Sequence, residues 1–397
     1  MFQGPKGVSI VVRIRSELTL LTILALLLVS PGALAAQRFA ALDSAVRAGV
    51  ASGTFPGAVV VVGRSDTILH AAGYGHYTWS RGSPVPNPTT SLWDIASLSK
   101  VVATTSAIAV LVDRGLLDLD APVAAYLPDF FGSGKDKVTV RMLLDHTSGL
   151  PAWSSLSVPG VTPQIAMRRL LAVELQREPG RSANYSDINA MLAALVVERA
   201  AGQPLERFAQ EVVFGPFGMQ ATLFRPAPAD QLRAVPTERR RDGSSLVGVV
   251  QDPNARALGG IAGNAGVFST GTDLAQFAQR WLRVLRDGDS SWVHPATASG
   301  FLVRTPISGT RALGWDTPTS PTDGLPPLYG ACASETTIGH TGWTGTLLWI
   351  DPAANLFVIM LTNRSYAPRT GSKSFDDIRL VRAAVSDAAR RAVVGSC

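Results

Sequence analysis

Apolar positions along this chain recur with two different spacings. From Arg38 to Ser52 they fall at helical intervals until Gly53 and Pro56-Gly57 interrupt them. Ala58 to Val62 is a β-branched run that predicts a buried strand, and Thr67 to Ala72 reads as its hairpin partner. Glycine, proline and serine crowd residues 73–90, which predicts loop. From Ser97 a helical stripe follows, made of Leu98, Val101, Val102, Thr105, Ile108, Ala109 and Val112, with Gly115 as its stop. Residues 116–250 mix short helical segments with proline-punctuated loops, and one clear helix runs from Ile188 to Ala201 before Gly202. A glycine-rich passage over 258–263 leads to Ser269-Thr270-Gly271-Thr272-Asp273, a capping sequence for a helix beginning near Leu274. Thr346–Ile350 and Leu356–Thr362 read as a hairpin, and an amphipathic helix closes the chain from Phe375 to Val393.

Strands thus lie at both ends and helices between them. The predicted fold is α+β: an antiparallel sheet with the first and last helices on one face and an inserted all-helical lobe on the other. The sheet lobe takes about 36–115 and 255–397, and the helical lobe about 116–254, within a single domain.

The first 35 residues read differently. Arg13 and Arg15 precede an apolar run from Leu18 to Val29, Ser30-Pro31-Gly32 breaks it, and Ala33-Leu34-Ala35 fits a small-x-small cleavage site. Twelve residues are short for a span, which needs roughly 20. Residues 1–35 are therefore predicted to be a cleaved signal peptide, with an uncleaved anchor as the alternative; cleavage would leave 36–397 periplasmic or secreted with no stable membrane span.

Composition narrows the classes. The chain has 397 residues, 46% apolar and 17% charged, enough to build a core and too weakly charged for a disordered chain. The net charge of +6 falls to about +4 without the leader, and beyond Arg239-Arg240-Arg241 the arginines are scattered, so a nucleic-acid surface is not predicted. Cys332 and Cys397 could pair in an oxidising compartment or stay as free thiols. Neither has a histidine at metal-ligand spacing, and no metal or cofactor is assigned.

Only five lysines occur, so Lys100 inside Ser97-Leu98-Ser99-Lys100 is informative. A serine and a lysine three apart at a helix start share one face. Burial and the helix N-terminus both favour a neutral amine there, able to take a proton from Ser97, whose position near free N–H groups suits a developing oxyanion. The plainer alternative is an N-cap serine with a surface lysine. Tyr185-Ser186-Asp187 stands ahead of the 188–201 helix, where a loop tyrosine near an amine can act as a base or simply fill the core. Gly339-His340-Thr341-Gly342-Trp343-Thr344-Gly345 precedes the 346–350 strand, either as a cleft edge approached by substrate or as a hairpin turn.

Taken together and in this order, Ser97-x-x-Lys100, Tyr185-x-Asp187 and His340-Thr341-Gly342 resemble the S-x-x-K, Y-x-N and K-T-G elements of serine β-lactamases and penicillin-binding proteins. The likeness is to the class C β-lactamase branch, which includes DD-peptidases and β-lactamase-fold esterases, and runs from about Arg38 to Val393. Leu143-Leu144-x-His146-Thr147-Ser148-Gly149-Leu150-Pro151 also fits it. The resemblance implies that Ser97 attacks a carbonyl, Lys100 and Tyr185 share the proton, the N–H groups of Ser97 and Trp343 hold the oxyanion, and water releases the acyl group.

Two departures matter. Asp187 replaces an asparagine and, if ionised, can accept a hydrogen bond from Lys100 but cannot donate one to a substrate amide; His340 replaces a lysine and removes a permanent cation. Both favour an ester or other neutral carbonyl over a penicillin-like substrate. The predicted function is an exported serine hydrolase of small-molecule ester, amide or peptide substrates, esterase-like ahead of β-lactamase or D-Ala-D-Ala carboxypeptidase. The alternative of another class is a catalytically silent relative that binds cell-wall peptide or a protein. His70, His76, His146 and His294 are read as structural, and Asn264 and Phe268 are placed at the cleft. No G-x-S-x-G elbow or H-E-x-x-H motif occurs.

Overall fold

A computed structural model describes residues 37–319, 326–366 and 375–397, with residues 1, 2 and 4. The expected signal peptide lies almost wholly outside the described residues. Helix α1 (Ala40–Ala51) leads into strands β1 (Gly57–Gly63) and β2 (Ile68–Gly75). Three further strands come from the C-terminal part: β6 (Ile338–Thr341), β7 (Leu347–Asp351) and β8 (Leu356–Thr362), numbered after three short strands described below. They form one antiparallel sheet in the order β2-β1-β8-β7-β6, in which Val59 pairs with Leu361 and His340 with Leu348. The N-terminal hairpin therefore docks on the last strand, joining the two ends of the chain in one sheet.

The apolar runs of β1, β7 and β8 are explained by two cores rather than one. Successive side chains on a strand face opposite ways. Val59 and Val61 of β1, with Phe357, Ile359 and Leu361 of β8, join the core under the helical lobe. Ala58, Val60 and Val62, with Leu356, Val358 and Met360, join a second core with Leu42 and Val46 of α1. That second core is completed by Ile378, Val385 and Ala389 of the final helix, Phe375–Val394. A sheet covered on both faces needs apolar residues at every position, so no polar alternation survives.

The helix carrying Ser97 crosses the larger core. It starts as a tight 3₁₀ turn (Ala96–Leu98), opens into a π-wound stretch (Lys100–Thr105) and continues as α2 (Ser106–Asp113). Among the described residues, Ala96–Asp113 is long and apolar enough to cross a membrane, yet 83% of it is buried inside the protein, so it is a core helix. The inserted lobe contains α3 (Val140–Leu144), α4 (Pro163–Leu171), α5 (Asp187–Ala201) and α6 (Leu205–Ala209). Helix α5 is apolar nearly all round and sits at the centre of this lobe, ending at Gly202 with φ +66°.

Helix α7 (Gly271–Leu282) begins three residues earlier than the pattern predicts, because Thr270 caps it by accepting the Asp273 N–H at 3.2 Å. Gly271 is required there: a Cβ would come within 2.8 Å of Val59 and 2.9 Å of Val61 on β1. The short strands β3 (Trp93–Asp94), β4 (Leu223–Phe224) and β5 (Val267–Ser269) form a small antiparallel sheet in the order β3-β5-β4 that ties the two lobes together. Cys332 and Cys397 form a disulfide, with Cα atoms 4.6 Å apart, which fixes the C-terminus to the body.

Candidate active site

The turn bearing Ser97 is clamped from three sides. Ala96, a non-glycine residue at φ +49°, is held by its N–H bond to Asp94 Oδ1 (2.9 Å), while Asp94 Oδ2 accepts from Gln251 N (2.7 Å). Burial raises the Asp94 carboxyl to about 6 even though both N–H bonds favour its charged form. From the β6–β7 turn, Thr344 and Thr346 donate their hydroxyls to the carbonyls of Asp94 and Ile95, each at 3.0 Å. Gly342 sits tightly against this turn, where a Cβ would meet Thr346 Oγ1 at 2.1 Å, Ile95 O at 2.9 Å and the Ala96 Cβ at 3.1 Å. The glycine was expected to admit a substrate backbone; in the structure it admits the chain's own Ser97 turn.

Lys100 is 3% exposed, and its three ammonium hydrogens have three acceptors: Asp187 Oδ1 at 2.6 Å, Ser97 Oγ at 3.0 Å and the Asn264 carbonyl at 3.3 Å. This corrects the expectation of a neutral amine. Burial does oppose the charge, but the Asp187 carboxylate and the Tyr185 phenol more than offset it, so the Lys100 pKa is raised above its ordinary value. The resting lysine is a cation donating to Ser97. Asp187 is well placed for this, since it opens α5, where the helix N-terminus favours negative charge.

Tyr185 lies beside both. Its ring centroid is 4.9 Å from Lys100 Nζ and 4.9 Å from the Arg311 guanidinium carbon, with the His146 ring 4.8 Å away and the His340 ring 5.9 Å away. Tyr185, far from Ser97 and Lys100 in sequence, is thus brought together with them. His146, expected to stabilise its own turn, also positions this loop. It adopts φ +60°, accepts the Ser186 N–H on Nδ1 at 3.1 Å and packs on the Tyr185 ring; burial first, then the Arg311 and Lys100 charges, keep it neutral.

His340 is 2% exposed on β6 and its Nδ1 is 2.7 Å from the Thr341 carbonyl, so Nδ1 carries the proton. Burial, Lys100 and Arg311 push its pKa well below the ordinary histidine value, leaving Nε2 a bare acceptor. A cleft of about 640 Å³ opens over these groups, lined by Ser97, Tyr185, Asp187, Asn264, Thr341 and Trp343 among others. Asn264 is at the cleft as expected. Phe268 is not: it is buried on β5 in the larger core and is absent from the residues lining the cleft. Arg311 and Asp316 also line the cleft as an ion pair, and no sequence motif marked them.

The family model described as Beta-lactamase matches residues 42–383. The chain belongs to the beta-lactamase family. It is similar to an N-acetylmuramyl-L-alanine amidase of Bacillus subtilis (strain 168), 33% identical over 364 residues, covering 82% of this chain and 81% of the relative. A protein of Escherichia coli (strain K12), provisionally named D-alanyl-D-alanine carboxypeptidase, is 31% identical over 347 residues, covering 79% and 80%. Among solved structures, EstCE1, a hydrolase with promiscuous acyltransferase activity, superposes with a TM-score of 0.67 at 22% identity, covering 88% of this chain and 99% of that one. A class C beta-lactamase does so with a TM-score of 0.68 at 19% identity, covering 88% and 96%. These beta-lactamase relatives share the mixed helix and antiparallel-sheet architecture described above.

Proposed function

We propose that this beta-lactamase-family chain is an exported serine hydrolase that opens ester and amide carbonyls through an acyl-enzyme on Ser97. The observation that carries the reading is the continuous contact Asp187–Lys100–Ser97, with Tyr185 between two cations at the mouth of the cleft. With Lys100 a cation, the proton acceptor is Tyr185 as its phenolate: Ser97 Oγ attacks the carbonyl carbon as its proton moves to the Tyr185 oxygen, which becomes the neutral phenol. Lys100 and Arg311, both beside the ring, stabilise the phenolate before it takes this proton and again once the proton has gone on to the leaving group. The N–H groups of Ser97 and Trp343 receive the oxyanion, the leaving group takes the proton, and water releases the acyl group.

Substrate class follows from what the side chains have left to offer. Asp187 is committed to Lys100 and has no N–H to donate, and His340 is neutral. Both suit a neutral acyl group, which puts esterase chemistry first. One observation favours a second reading, a peptide with a carboxylate: Arg311, although paired with Asp316, puts a guanidinium on the cleft wall, and two relatives are named as an amidase and a carboxypeptidase. The test is a panel of p-nitrophenyl esters, nitrocefin and a D-Ala-D-Ala peptide, run on wild type and Ser97→Ala. A fluorophosphonate should label wild type and not Ser97→Ala, and hydrolysis should vanish with the label. Turnover that survives Ser97→Ala would sink the assignment, and absence of any acyl mass shift on wild type would favour the silent, binding-only relative.

A further inference from the structure

The turn from Gly342 to Thr346 carries both Trp343 and the two threonines that hold the Ser97 turn. Within it, Gly342 N–H bonds Thr346 O at 2.9 Å and Gly345 N–H bonds Gly342 O at 3.0 Å. Its carbonyls face the final helix, where Arg382 waits. Arg382 Nη2 donates to Gly342 O at 2.7 Å and Thr346 O at 2.9 Å, and Nε to Gly345 O at 3.3 Å. Arg382 is 2% exposed, and among the described residues no carboxylate offsets its charge. Burial, and then Arg364, pull it down to about 9, still a cation at neutral pH.

A buried cation without a counter-ion is an expensive way to tie down a turn, since neutral donors would satisfy the same carbonyls. Its position gives it another use. The Gly342 carbonyl and the Trp343 N–H belong to one peptide unit, and a trans peptide points them in opposite directions. With Arg382 on the oxygen, the N–H is turned away from the final helix, on the side where Gly342 and Trp343 line the cleft. A charged donor on the oxygen also polarises the peptide and strengthens its N–H as a donor.

We propose that Arg382 is a positioning residue that orients and polarises the Gly342–Trp343 peptide, so that the Trp343 N–H can hold the oxyanion formed by Ser97. This rests on the acyl-enzyme reading above. The test uses Arg382→Met and Arg382→Lys in the full chain, with p-nitrophenyl acetate as substrate and a phenylboronic acid as tetrahedral mimic. Removing a whole oxyanion donor lowers kcat by about 100- to 1000-fold, and weakening one should lower it by about 10- to 100-fold. Arg382→Met is expected to lose that factor in kcat with KM nearly unchanged, and to lose boronate affinity in parallel. Arg382→Lys, which keeps the charge and part of the bonding, should recover some of both. A folded Arg382→Met with unchanged kcat, or one that loses only KM, overturns the proposal; so does failure of both variants to fold, which would make Arg382 structural. If wild type itself takes no fluorophosphonate on Ser97, the acyl-enzyme reading has failed instead, and the two failures are distinguishable.

Discussion

Replacing Asp187 by asparagine tests the charge state of the site, because it removes the carboxylate while keeping the side-chain shape. The Lys100–Asp187 contact is 2.6 Å, and unit charges at that distance interact by roughly 6 kcal/mol at an effective dielectric near 20. Asp187 leaves 22% of its side chain in water, so solvent weakens the pair, and losing it should lower the Lys100 pKa. Burial, the opposing influence in the wild type, then dominates and the amine falls below its ordinary value.

The signs follow. In wild type, a raised lysine contributes stability that is complete below the unfolded pKa and is lost as pH rises through the folded one. In Asp187→Asn the lysine is depressed, so its burial penalty is full at low pH and fades as pH rises towards the unfolded value. The stability gap between the two proteins should narrow from pH 6 to pH 10. The basic limb of kcat/KM for p-nitrophenyl acetate should move to lower pH in the variant. Urea melts at four pH values and a pH–rate profile read both. A gap that is constant with pH, together with superimposable basic limbs, would refute a Lys100 cation held by Asp187.

Gly342→Ala should lower kcat/KM at least tenfold and cost about 1–3 kcal/mol of stability, since its Cβ would press on Thr346 Oγ1 and the Ile95–Ala96 backbone; ester kinetics and a thermal melt check this. Asp94, raised to about 6, loses an acceptor for the Ala96 or Gln251 N–H as it protonates, so kcat/KM should fall below pH 6. Its folded pKa lies above the unfolded one, so its own contribution to stability instead falls as pH rises from about 4 to 6, by about 3 kcal/mol, and Asp94→Asn should remove that slope. Cys397→Ser opens the loop closed by the Cys332–Cys397 disulfide over a separation of 65 residues; the loss should be at most about 4 kcal/mol, read as a lower urea midpoint with unchanged ester turnover.

Much of this architecture was legible because burial writes itself into period and punctuation. The β1 and β8 runs, the Gly115 and Gly202 stops and the Ser97–Lys100 spacing all follow from local rules. What was hidden has local reasons too. Strands β3, β4 and β5 are two or three residues long, too short to show alternation. The π-wound stretch after Lys100 is buried on all sides, so its apolar residues fit an α-helical stripe equally well. Arg311 sits in an irregular segment and reaches the site through bridges from Arg311 to Asp316 and from Asp316 to Gly339, next to His340. Nothing in the spacing of 311 and 340 announces that contact. Lys100 is charged rather than neutral because the burial cost of an amine is legible in the sequence, whereas how closely the carboxylate 87 residues away closes on it is not.

The two departures from the family's motifs fit one another. Asp187 adds a negative charge against Lys100, and His340 withholds a positive one at a buried position whose neighbours already include Lys100 and Arg311. A lysine at 340 would be a further cation in a region where burial and like charge both disfavour ionisation. An asparagine at 187 would leave Lys100 without its counter-ion. With Asp187 and His340 as they stand, Lys100–Asp187 and Arg311–Asp316 close as neutral pairs and the unmatched charge lies behind the turn, on Arg382. The cleft therefore meets a resting substrate with little net charge while keeping a cation behind the peptide at which an oxyanion would form. That distribution suits a neutral acyl group whose negative charge appears only on attack.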